Sequence, residues 1–196
     1  MPAAPRPVRP LSKLLIATDF SPGAAPALTR ATLLPLGPSA RVTLLHVSPP
    51  FRPALRARER GEAKRRLEKE AAELREGFRA SGRPDVRVRT VLAVGEPFAK
   101  ILERGRRADL LLLGRHGMRR FRDLLLGSTA ERIIRAGHVP VLIATAPARG
   151  PYRRPLVAVD LSPPSRRAAE TAARLMLPGP PVLDIVHVYE TAHDRL

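Results

Sequence analysis

The chain contains no cysteine and no tryptophan, and aromatic residues make up only 4% of its 196 positions. Without cysteine there is no disulfide, no thiolate metal site and no cysteine nucleophile. So few aromatic rings cannot build a base-stacking platform. No apolar run approaches the ~18 residues needed to span a bilayer, so no membrane partner is expected. The opening stretch, Met1 to Pro7, carries a basic residue but no apolar segment of the kind that directs secretion, and a cytoplasmic location is the expectation. Two common nucleotide signatures are also missing: there is no Gly-x4-Gly-Lys-Ser/Thr, and no Gly-x-Gly-x2-Gly after the first strand. Acidic residues are scarce, 18 against 35 lysines and arginines, for a net charge of +17. The basic residues are spread from Arg6 to Arg195 and often alternate with glutamate. They therefore predict weak, salt-sensitive attraction to polyanions rather than specific nucleic-acid binding.

Glycine is placed with more purpose. Gly114-Arg115-His116-Gly117 follows the apolar run Leu110–Leu113, and Gly127-Ser128-Thr129 comes nine residues later. Glycines at the mouth of a strand allow a tight turn and leave no Cβ in the way of a ligand. Gly127-Ser128 brings free N–H groups, a hydroxyl and the positive end of a helix dipole to one point, which suits phosphate. Ser128 and Glu131 also fit a capping box. Capping and phosphate binding use separate groups and can coexist.

Taken in order, residues 1–11 read as a proline-rich disordered tail. A strand at 13–18 is followed by Ser21-Pro22, a helix cap and first helical position, with the helix running to about Leu34. A Pro/Gly turn leads to a second strand at 41–47. The charged segment 54–80 places Leu67, Ala71, Leu74 and Phe78 at helical spacing. Further strands are expected at 86–94 (an edge, from its Val/Arg alternation), 110–113 and 139–144, with helices from Pro97 and Ser128. Strands alternating with helices, several of them apolar throughout, predict an α/β fold: an open parallel sheet with helices on both faces. Ligands of such folds bind beyond the C-terminal strand ends, where Asp19, Val47, Val94 and Gly114 fall. Asp19 before Ser-Pro also fits a plain Asx-type turn.

Five segments, Leu14–Ser21, Leu44–Val47, Val94–Pro97, Gly114-x2-Gly117-x9-Gly127-Ser128 and Val139–Ile143, together resemble the universal stress protein family over residues 12–145. The resemblance implies five parallel strands in the order 3-2-1-4-5, a homodimer paired through strand 139–144, and membership of the ATP-binding branch. By position it also implies that Thr18 and Val47 line an adenine pocket, with Ala17 and Val94 completing the set. Asp19 would lie near the ribose or a Mg²⁺ ion. Gly114, Arg115, Gly117, Gly127, Ser128 and Thr129 would hold ribose and phosphates, and His116 fills a variable position of the motif.

After a linker at 146–154, the chain begins again. Leu156–Pro163 repeats Leu15–Pro22, and His187-Val188 repeats His46-Val47, at one shared offset of 141 residues. Residues 155–190 thus read as a β-α-β half repeat of a tandem-like arrangement, with a tail at 191–196. Either the sequence is a truncated tandem protein, or the half unit docks on another chain's sheet or half unit. The functional expectation is a dimeric stress-response regulator that binds ATP or another adenine nucleotide (AMP or ADP), with Mg²⁺ as a possible companion. Alternatives are a slow ATPase or nucleotidyl-transfer enzyme and a dimerisation module with a vestigial site. No paired carboxylates and no Ser/His/Asp set supply a separate catalytic apparatus.

Overall fold

The computed structural model of the chain describes residues 9–50, 56–115, 128–136, 139–176 and 182–189. The chain divides into two compact units, Leu11–Gly150 and a second that combines Pro151–Leu196 with Met1–Pro10. The first unit runs β1 (Leu11–Thr18), α1 (Ala25–Thr32), β2 (Leu36–Ser48), α2 (Arg56–Ala80), β3 (Arg87–Val94), α3 (Pro97–Gly105), β4 (Leu110–Gly114), α4 (Ser128–Ala136) and β5 (Val141–Ala144). Its five strands are all parallel, in the order β3-β2-β1-β4-β5. This is the sheet that the resemblance implied.

The two central strands explain the architecture. Leu14, Leu15 and Ile16 of β1 and Leu110, Leu111 and Leu112 of β4 are each at most 2% exposed. Successive strand residues point to opposite faces, so three in a row can be buried only if helices cover both. On one face Leu15, Leu45 and Leu111 pack against Ile101 of α3 and Ile133 of α4. On the other lies α2, whose Leu67, Ala71, Leu74 and Phe78 are buried while its charged residues face out.

Several boundaries differ from the sequence reading. Helix α1 begins at Ala25, not Pro22, and Ser21 instead accepts the Ala24 N–H in a turn. Pro26 is the reason. In a helix started at Pro22 its ring would meet the carbonyl one turn back and its missing N–H would break the ladder, so the helix starts late enough to hold Pro26 in its first turn. Strand β2 begins at Leu36, where a turn was expected. The Arg83 guanidinium donates to the carbonyls of Leu36 and Gly37, and Asp85 accepts the Ser39 N–H. Side chains thereby satisfy the backbone of an irregular strand start, in which Ser39 takes a φ of 52°. Leu11, read as tail, is a fully buried residue of β1.

The second unit consists of β6 (Leu156–Val159), α5 (Pro163–Arg174) and β7 (Asp184–His187), with the two strands parallel. It repeats the main features of the first unit's β1 turn. Asp19 accepts the Ser21 N–H at 2.9 Å, and Asp160 the Ser162 N–H at 3.0 Å. Phe20 and Leu161 both take positive φ, 63° and 64°. The Nδ1 of His46 donates to the Thr18 carbonyl, and that of His187 to the Val159 carbonyl. Here α5 does start at Pro163 with Ser162 as its cap, because Arg167 stands where the first unit has Pro26. Bonds from Ser162 and Ser165 hold the Asp160 carboxyl down at about 2. Among the described residues, no helix is long and apolar enough to cross a membrane.

Candidate functional site

A cleft of about 140 Å³ opens at the C-terminal ends of β1, β2 and β4. Its floor is Ala17, Leu45 and Leu113, and its walls are Ile101 of α3 and Ala130 of α4. Of the residues singled out in the sequence, Ala17, Thr18, Asp19, Val47, Gly114, Arg115 and Thr129 all line it. Val94 closes β3 as an exposed residue and is not part of the lining. His116, Gly117 and Gly127 lie outside the described residues, as does the side chain of Ser128, whose backbone opens α4. Glu131, the other member of the capping box, pairs with Arg135 at 2.9 Å.

Two polar side chains of the cleft are fixed locally. The Thr18 hydroxyl accepts the Phe20 N–H at 3.0 Å, and Asp19 forms the Asx turn described above. The Arg115 N–H donates to the Ala144 carbonyl, which ties the chain leaving β4 to β5. Gly114 meets close backbone: a Cβ there would lie 2.2 Å from the Gly23 oxygen and 2.5 Å from the Ala24 Cα. What comes close to Gly114 is the chain's own β1–α1 turn. The walls are braced by Glu96, which caps α3 by accepting the Ala99 N–H at 2.7 Å and pairs with Arg132 of α4 at 3.2 Å. Those bonds, the Ala99 N–H foremost, hold the Glu96 carboxyl below its usual range. Arg132 also covers the Phe98 ring at 4.1 Å, a cation–π contact between the two helices.

Behind β1 lies a polar cluster that the sequence did not announce. Phe20 stacks on His46 with ring centroids 4.0 Å apart, and Arg66 of α2 lies over Phe20 at 4.6 Å. Burial lowers the His46 pKa below its ordinary value, against the Thr18 carbonyl, which accepts its Nδ1–H. Glu70, also of α2, sits among them with Oε2 buried and unpartnered among the described residues. Burial pushes its carboxyl up, while the Thr18 hydroxyl works the other way. A raised folded-state pKa makes a contribution that is full below the unfolded value near 4.5 and is lost as pH rises through the folded value. Glu70→Gln, which mimics the protonated form, is expected to be more stable than the parent at pH 7. The gap should close on acidification to pH 4. Urea titrations at the two pH values check this, and a variant less stable at pH 7 would contradict it.

The universal stress protein family profile matches residues 10–145, more than half of the chain. The chain belongs to the universal stress protein family. The universal stress protein MJ0531 of Methanocaldococcus jannaschii is 38% identical over 64 residues, 32% of this chain and 38% of that one. The crystal structure of hypothetical protein PH0823 is 29% identical, with a TM-score of 0.53, covering 67% of this chain and 94% of that one. A universal stress protein from Archaeoglobus fulgidus shares the fold at 22% identity and a TM-score of 0.69, over 91% of this chain and 68% of that one. This universal stress protein spans between a fifth and about two-fifths of the length of the curated relatives it matches.

Proposed function

We propose that this chain binds an adenine nucleotide, ATP or its AMP or ADP products, in the cleft at the ends of β1, β2 and β4, and acts as a nucleotide-responsive regulator in stress. One observation carries the reading: an apolar recess, an acidic residue and an anion-suited helix start converge in one cleft. Ala17, Leu45, Val47 and Ile101 form a wall suited to a purine. Asp19 can accept from ribose hydroxyls. Arg115, Thr129 and the α4 N-terminus offer charge, a hydroxyl and amides to the phosphates. His116, Gly117, Gly127 and Ser128 belong to the same motif and are assigned to the same task.

Among the described residues, Asp19 is the one carboxylate in the lining and no cluster of three metal-ligating side chains occurs. That donor set fits a Mg²⁺ carried in by the phosphates, not a protein-built cage. Hydrolysis would need a positioned water and charge stabilisation at the γ-phosphate. With a single carboxylate in the lining among the described residues, a steady-state turnover well under ~1 s⁻¹ is expected.

The test is the nucleotide content of protein purified without added ligand, by acid release and chromatography, followed by calorimetry with ATP and Mg²⁺. Adenine nucleotide near one per chain supports the reading. Neither bound nucleotide nor binding heat would reduce the motif to a turn and a cap.

The same reading assigns assembly to β5, one edge of the five-stranded sheet, whose Val141, Leu142 and Ile143 are only half-buried. A second copy pairing there would give a homodimer. The half unit, with Leu156, Ile185 and Val188 exposed by 70%, 62% and 83%, is assigned a docking role on a second copy of the chain. Light scattering that finds a well-behaved monomer would count against both assignments.

A further inference from the structure

The α3/α4 face of the sheet changes character along the strands. Towards the C-terminal ends it is apolar, with Leu15, Leu45 and Ala93 packed under the helices. Two to four residues earlier on the same face stand Lys13 of β1, Arg41 of β2 and Arg89 of β3. Register makes Lys13 and Arg41 direct neighbours, and Arg41 in turn faces Arg87. Like charges placed opposite one another across strands repel and destabilise a sheet.

The crowding extends into a third dimension. Arg104, near the end of α3, and Arg107, just after it, converge on the same place. Together with Lys13, Arg41 and Arg89 they line a concavity of about 350 Å³, at the opposite end of the strands from the nucleotide cleft. Its one acidic residue among the described residues, Glu103, is paired with Lys100 at 3.3 Å. None of the five cations has a salt-bridge partner among the described residues. The Arg89 Nε donates to the Thr43 hydroxyl at 2.8 Å, which sets that guanidinium across the floor.

Solvated surface charges on this chain mostly lie on open helix faces. These five are solvent-exposed too, but they share one concavity instead of being spread along a face, so their mutual repulsion is concentrated there. We propose that the recess is a second anion site, for a compact inorganic polyphosphate such as triphosphate. Several negative charges in a small volume match five cations in a concavity, and guanidinium forks suit phosphate oxygens bidentately. A monovalent anion would leave most of the repulsion in place. A nucleic-acid strand fits less well, since the lining contains no aromatic ring among the described residues on which a base could stack.

The experiment is calorimetric titration of the full chain with sodium triphosphate at 0.1 M salt, without Mg²⁺. Saturable binding near one per chain is expected. Arg41→Gln/Arg107→Gln should weaken it at least tenfold. Arg58→Gln/Arg65→Gln, an equal loss of charge on the exposed face of α2, should stay within twofold. A second readout is thermal: Arg41→Gln alone should raise Tm without ligand and blunt the rise that triphosphate gives the parent. Equal losses in the two double variants would reduce the effect to net charge and overturn the site. Loss in Arg115→Gln would move the binding to the nucleotide cleft. A single-stranded oligonucleotide that competes equally well per phosphate would replace the compact ligand with a nucleic-acid surface.

Discussion

Gly114→Ala is expected to cost this fold about 3 kcal/mol or more, although it adds a single methyl group. The new Cβ would stand 2.2 Å from the Gly23 oxygen, 2.5 Å from the Ala24 Cα and 3.0 Å from the Gly23 carbon. All three are backbone atoms, so no side-chain rotation relieves the overlap. Either the end of β4 leaves its ladder with β5, or the turn of residues 21–24 lifts off. That turn directly follows Asp19 and carries Ala24 of the cleft, so nucleotide binding should fall with stability. Against a total stability on the order of 5–15 kcal/mol, such a loss leaves a protein that melts on mild warming. Gly105→Ala is the matched control: a Cβ there meets nothing within 4 Å, and the change should stay within ~1 kcal/mol, since alanine is the better helix former. Chemical denaturation of the two variants decides the matter. Equal midpoints would sink the packing account of Gly114 and return that glycine to the ligand.

The second large effect separates two neighbouring leucines. Leu44 and Leu45 of β2 are both fully buried, and strand geometry sends them to opposite faces. Each change to alanine should cost about 2–5 kcal/mol through lost burial and the cavity left behind. Only Leu45 lines the cleft and joins the cluster under α3 and α4. Leu45→Ala is therefore expected to weaken adenine-nucleotide binding about tenfold, or ~1.4 kcal/mol. Leu44→Ala should leave affinity within twofold once the folded fraction is allowed for. Calorimetry on the two variants below their melting range provides the comparison. Equal affinity losses would mean that the nucleotide does not rest on the Leu45 face.

Much of this was legible in the chain itself, for identifiable reasons. The runs Leu14–Ile16 and Leu110–Leu112 are apolar at every position, which only a doubly covered parallel strand explains. The 3.6-residue rhythm of Leu67, Ala71, Leu74 and Phe78 marks the inner face of α2 in the same direct way. The turn at Asp19 is visible because it is written twice. What escaped reading depends on contacts between distant segments. Ile101 and Ala130 are ordinary apolar helix residues until the sheet brings α3 and α4 over the strand ends. Glu70 looks like one more charge on a charged helix, and only the fold places it beside Thr18. The late start of α1 shows a local rule overruled by another: Ser21-Pro22 is a good helix opening, but Pro26 forbids the helix that would follow from it. Gly114 reads in sequence as leaving room for a ligand, and the structure sets Gly23–Ala24 of the same chain against it, a partner that no sequence pattern could name.

The position of β1 at the centre of the sheet has a consequence for how the protein is made. On the ribosome β1 emerges before the other strands of its sheet, gains β2 along one side early, and must keep its other side open until β4 has been synthesised. By the time β6 appears, carrying a near copy of the β1 sequence, β4 and β5 have already emerged and can have claimed that side. Chain growth thus separates in time two segments that could compete for the same neighbour. Dilution from denaturant removes this separation, because every strand is then available at once. Synthesis from the N-terminus should consequently yield the native pairing more faithfully than refolding of the finished chain.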